Sequence, residues 1–147
     1  MSGTVSVRNL QRRRKIDVRW LRQVAFRVLE EELTARDYDI GICLVSAPRM
    51  TRLNEDFLGH QGSTDVITFD YSGRRSQARL IGEIVICVDE AVAQARQFHV
   101  TWQAEIVRYF VHGILHLSGY DDTTSLARRK MKREEERLLR RRRILTA

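Results

Sequence analysis

The sequence predicts a mixed α/β (α+β) domain: a single small sheet of about four strands with helices packed around it. Three observations carry this expectation. Short runs rich in β-branched and apolar residues recur at 4–8, 40–45, 66–69 and 81–88, each of strand length. Between and after them lie longer segments whose apolar residues repeat at helical spacing. Finally, 147 residues suffice for one hydrophobic core, and no internal repeat, low-complexity tract or linker divides the chain, so one domain is expected over 1–147.

Each element has its own local reason. Residues 4–8 alternate, with Val5 and Val7 on one side, as a half-buried strand does. Asp17 is placed to cap a helix reaching Leu33, because Trp20, Leu21, Val24, Ala25, Val28 and Leu29 form one apolar stripe. Asp37 to Asp39 read as a polar break, and the unbroken apolar run 40–45 as a strand covered on both faces. Ser46 with Pro48 signals a helix start, and Gly59 a stop, giving a short helix over 47–58. The turn formers of 59–63 make a loop, and strands 66–69 and 81–88 can pair as a hairpin across the basic turn 72–76. Asp89 is read as the cap of a helix to His99, with Ala91, Ala95 and Phe98 inward. Thr101 opens a strongly apolar helix, as expected of a central one packed on the sheet, and a last helix runs from Ser125 to about Leu139 on Leu126, Met131 and Leu138.

Composition bounds the function. Hydrophobic content of 43% with 31% charged residues is that of a globular domain, and no apolar run reaches the ~18 residues of a membrane helix. No export signal opens the chain, so the cytoplasm is the expected location. Cys43 and Cys87 each sit in an apolar run, read as buried thiols and not as a zinc pair. The net charge of +7 favours a polyanionic partner, with arginine-rich runs at 12–15 and 140–143. Either run alone is equally well a solvated end.

The chemistry concentrates in His112 to Asp122, HGILHLSGYDD. Imidazoles four apart on a helix share a face, about 6 Å apart along the axis. Gly119, past the last turn, can take the left-handed conformation that reverses the chain, so that Asp122 swings back toward both. His112, His116 and Asp122 then supply two nitrogens and a carboxylate oxygen, and three protein ligands leave zinc an open position, the mark of catalysis. Asp121 is a rival third ligand, or a residue orienting a ligand imidazole from behind. Nickel or manganese would also accept this donor set.

With these residues in view, the chain resembles the YbeY family of metal-dependent endoribonucleases and rRNA maturation factors. The family signature H-G-x-L-H-L-x-G-Y-D-H is matched up to its last position by HGILHLSGYD. Leu53-Asn54, the TDVITF stretch from Thr64 to Phe69, and the GEIVI stretch from Gly82 to Ile86 resemble further family segments, so the likeness runs from about residue 38 onward. It implies an α/β fold, one zinc ion in a three-ligand site, and RNA as partner, rRNA or the small ribosomal subunit above all. Two departures stand out. The family's third histidine is Asp122 here, whose charge makes the metal a weaker Lewis acid. The family's functional arginine falls on Leu58, with Phe57 before it, and leucine cannot clamp a phosphate. Arg74 and Arg79 are then the candidates for substrate binding, each otherwise a surface arginine.

The resulting expectation is metal-assisted cleavage of single-stranded RNA, in which a metal-bound water attacks and no side chain is assigned as general base. A non-catalytic RNA-binding assembly factor with a structural metal is the main alternative. A metallopeptidase ranks lower, because Gly113 stands where such enzymes need a glutamate after the first histidine.

Overall fold

Alternation along the second strand explains how the sheet is layered. The computed structural model describes residues 2–72 and 79–140. Within them β1 (Ser2–Asn9), β2 (Asp37–Val45), β3 (Val66–Asp70) and β4 (Leu80–Cys87) form one sheet in the order β1-β2-β4-β3. β2 lies in the interior, parallel to β1 and β4, and β3 is an outer strand antiparallel to β4. Burial along β2 alternates at first and is continuous from Ile42 to Val45. Asp37 and Asp39 are therefore not a break but the outward positions of a strand that already buries Tyr38. Thr4 of β1 donates its hydroxyl to Asp39 across the pair at 2.8 Å.

The helices are α1 (Val18–Phe26), α2 (Ala47–Leu58), α3 (Val88–Phe98), α4 (Trp102–Leu117) and α5 (Ser125–Leu139). The main core joins one sheet face, through Ile40, Ile42, Ile84 and Ile86, to α1 and α4. α3 and α5 pack against α4. A smaller core of Cys43, Val45, Met50, Ile67, Val85 and Cys87 lies under α2 on the opposite face. Cys43 and Cys87 are free thiols on neighbouring strands, but Cys43 is registered with Val85 and Cys87 with Val45, two positions apart.

Several expectations change in detail. α1 ends at Phe26 and continues as a π-helical stretch, Arg27–Glu32, where the Leu33 N–H reaches back five residues to the Val28 carbonyl. The consecutive glutamates 30–32 sit at the negative end of the helix, which weakens the regular ladder there. Asp89 does not cap α3. It lies inside the first turn of α3, and its carboxylate accepts the Ala47 N–H at 2.6 Å, capping α2 instead. Phe98 is exposed, because α3 turns away at His99, which takes φ 57°. Leu126 is exposed too: five residues before Met131 is about 140° around the helix from the face that Met131 and Leu138 bury.

Candidate metal centre

Thr101 sets the start of α4 by accepting the Ala104 N–H on its hydroxyl at 3.1 Å. The helix then runs sixteen residues, buried along most of its length, and delivers His112 and His116 near its C-terminus. Their rings lie 4.8 Å apart, nearly perpendicular at 78°. Gly119 closes the helix at φ 107°, with its own N–H on the His116 carbonyl at 3.1 Å and that of Tyr120 on Leu115 at 3.0 Å. This paired closure is the Schellman arrangement, which needs a left-handed residue. It turns the chain so that the Asp122 carboxylate comes to 3.7 Å from His116 Nε2.

Ligand atoms of His112, His116 and Asp122 all lie within 4.8 Å of one another. Zinc with bonds of about 2.0–2.2 Å in a tetrahedron would set its ligand atoms roughly 3.4 Å apart. With its ligand atoms spread over as much as 4.8 Å, the group is thus open by up to about 1.4 Å, and Asp122 has a side chain 50% exposed, with room to close it. The donor set suits a divalent ion of borderline hardness.

Behind the imidazoles stands a residue that the sequence reading missed. Glu135 of α5 is buried, and its Oε2 lies 2.9 Å from His112 Nδ1. Arg108 donates to the other oxygen at 3.1 Å and contacts Glu105 at 3.4 Å. A carboxylate on Nδ1 fixes the ring and leaves Nε2 to face the cleft. Burial pulls the His112 proton affinity down, yet the Glu135 hydrogen bond and charge outweigh it and hold the imidazole above its ordinary value. Burial pushes Glu135 up, but His112 and Arg108 together hold it below the usual carboxylate range. Its signal in the sequence is positional. Residues 131, 135 and 138 share the buried face of α5, so a glutamate occupies a core position there and calls for a partner.

The remaining sequence candidates fall as follows. Asp121 turns away to accept from the backbone and hydroxyl of Thr123, so the residue behind the imidazole is Glu135 and not Asp121. Arg79 pairs with Asp37 at 3.5 Å at the start of β4 and is not among the residues lining the cleft. Arg74 lies outside the described residues. Leu58 does line the cleft, a space of about 380 Å³ whose walls include Thr64, Asp65, Thr68 and Asp70 from β3 and the loop before it. Gly113 is dictated by packing: a Cβ there would come within 2.9 Å of Ile84, so no glutamate fits after the first histidine.

Fold and site together define the class: a small mixed-sheet domain whose central helix ends in a possible metal-binding group beside an outer strand. The family model described as Endoribonuclease YbeY matches residues 6–143. The chain belongs to the YbeY family of endoribonucleases, which are hydrolases. Endoribonuclease YbeY of Sulfurihydrogenibium is 33% identical over 113 residues, 76% of this chain and 74% of that one. Endoribonuclease YbeY of Anaeromyxobacter is 41% identical over 85 residues, 58% of this chain and 44% of the relative, so the match spans under half of that protein. The solution structure of TM1509 from Thermotoga maritima shares the fold, with a TM-score of 0.66 at 24% identity over 92% of this chain and 87% of that one. The family match takes in β1 and α1, more than the motifs from residue 38 onward indicated.

Proposed function

We propose that the chain cuts single-stranded RNA as one metal-dependent domain spanning 1–147, holding a single zinc ion on His112, His116 and Asp122. Its natural substrate on this reading is rRNA, on or near the small ribosomal subunit in the cytoplasm, cut during rRNA maturation and ribosome quality control. The observation that carries the reading is the convergence of two imidazoles and a carboxylate within 4.8 Å at the mouth of a cleft beside an outer strand. Among the described residues no helix is long and apolar enough to cross a membrane.

When bound, the ion supplies a Lewis acid for the phosphoryl group and an activated water. The chain's own residues do the positioning. Glu135 holds His112 so that only Nε2 points outward, and the Gly119 turn brings Asp122 back. Thr68 and Asp70 wall the cleft from the outer strand, while Leu58 offers no charge to the phosphate. Basic groups stand instead on α5, where Arg128, Arg129, Lys132 and Arg133 line a shallow groove. Arg128 donates to the Asp122 carbonyl at 3.2 Å, which puts a guanidinium beside the ligand loop. Such groups suit the RNA backbone, whose binding is then salt-dependent.

The test uses purified protein with its metal quantified, incubated with single-stranded rRNA fragments and with casein, beside His116→Ala. Cleavage of RNA that disappears in His116→Ala supports the proposal, and the metal analysis decides among zinc, nickel and manganese. Leu58 in the cleft favours one second reading, an RNA-binding assembly factor without turnover, for which tight binding with no cleavage is the expected result.

A further inference from the structure

Consecutive residues of a strand point to opposite faces, and in β3 this separates two surfaces. Thr68 and Asp70 line the metal cleft. Phe69, between them, points to the other face, where it packs on the small core beneath α2. There it meets Phe57 edge-on, with ring centres 5.9 Å apart at 82°, and stacks near-parallel with Tyr71 at 6.4 Å and 14°. The three rings form a ladder one strand's thickness from the cleft, and Leu58, next to Phe57, lines the cleft itself.

A packing role explains Phe69 but not its neighbours. Phe57 is 66% exposed and Tyr71 62% exposed, so most of their apolar surface stays in water, where it adds little to stability. The sheet face they border carries an ion pair: Arg8 of β1, its side chain 62% exposed, reaches across to Glu83, the register partner of Phe69, at 3.7 Å. Exposed ring faces are what an unpaired base stacks on in proteins that hold single strands. A paired base, stacked inside a duplex, cannot present its face to them.

Resting on the RNA reading above, we infer that Phe57, Phe69 and Tyr71 form a base-stacking subsite. An unpaired base adjoining the cleft lies against the exposed rings of Phe57 or Tyr71. This subsite selects single strands without selecting sequence, because every base has a π-face. It also takes over part of the substrate grip that Leu58 cannot supply.

The test is binding of a fluorescent oligouridine to the full chain at fixed salt, in a His116→Ala background so that nothing is cut. Phe57→Ala/Tyr71→Ala is expected to weaken binding about tenfold or more, with circular dichroism and melting unchanged. Tyr71→Trp is expected to keep wild-type affinity. Replacing the bases of the oligonucleotide with abasic sites should weaken the parent protein and leave the double variant nearly unaffected. Equal affinity of parent and double variant for the oligouridine overturns the subsite while the RNA reading stands. So does a double variant that changes only self-association by sedimentation, since the rings would then be a contact between copies. If the parent binds no RNA and the wild-type chain cuts none, the underlying reading itself fails and the subsite with it.

Discussion

Removing the Glu135 carboxylate should weaken metal binding without unfolding the protein. The carboxylate holds His112 Nδ1 at 2.9 Å and Arg108 at 3.1 Å, with a side chain only 10% exposed. In Glu135→Ala the imidazole loses the group that fixes its tautomer and orientation. Loss of such a support costs about 10- to 100-fold in metal affinity, or roughly 1.4–2.8 kcal/mol. The stability cost is smaller than for a sealed ion pair. Arg108 and His112 have side chains 39% and 31% exposed and can rehydrate, so the loss lies near the low end of the ~1.5–3 kcal/mol of a charged hydrogen bond. A protein of ordinary stability, about 5–15 kcal/mol, survives that. Glu135→Gln keeps an acceptor for the Nδ1 proton and should lose about tenfold or less. Zinc competition against a chromogenic chelator, with thermal melts alongside, measures both quantities. A folded Glu135→Ala protein with wild-type zinc affinity would refute the assignment of Glu135 as the residue that orients His112.

Four further outcomes are expected. In the metal-free protein the raised His112 stabilises below its ordinary value of 6.5 and loses that contribution as pH rises through its folded value, while the lowered Glu135 contributes above 4.5 and loses it in acid. Denaturant titrations should therefore show the largest gap between wild type and Glu135→Gln between those values, shrinking toward alkaline pH, and a gap that grows there contradicts the sign. Asp122→Ala should abolish tight metal binding, whereas Asp122→His should retain it as a three-imidazole site, both read by metal stoichiometry after dialysis. Gly113→Ala drives a methyl to 2.9 Å from Ile84 and should cost about 1–3 kcal/mol in chemical denaturation. Tyr109 has a buried hydroxyl with no hydrogen-bond partner among the described residues, so Tyr109→Phe should leave stability unchanged or raise it by about 1 kcal/mol.

The parts of the site that were legible in the sequence are those set within a few residues. His112 and His116 share a helix face by periodicity alone, and the helix closes locally, with the Gly119 N–H on the His116 carbonyl and the Tyr120 N–H on that of Leu115. The four strands and the antiparallel pairing of β3 with β4 were legible for the same reason, since strand patterning acts locally, whereas most of the basic turn expected over 72–76 lies outside the described residues. What escaped depends on distant parts of the chain. Glu135 lies 23 positions from His112, and Asp89 lies 42 positions from the Ala47 N–H that it caps. Nothing within a window of helix or strand length reports such a partner. The aromatic ladder is similar: Phe57 and Phe69 belong to different elements and meet only where the C-terminal end of α2 comes against the outer strand. Phe98 failed for a subtler reason, because a stripe counts as buried only as far as a neighbouring element extends to cover it, and Leu126 failed because it stands off the face that Met131 and Leu138 bury.

The order in which the site's parts appear along the chain has a consequence for biosynthesis. A polypeptide emerging N-terminus first exposes both imidazoles of α4 well before Glu135 is made. An incomplete product that stops short of α5 would carry all three metal donors but lack the group that holds His112 in place. On the proposed reading, the contact that holds His112 is therefore made only after α5 has been synthesised and has docked against α4.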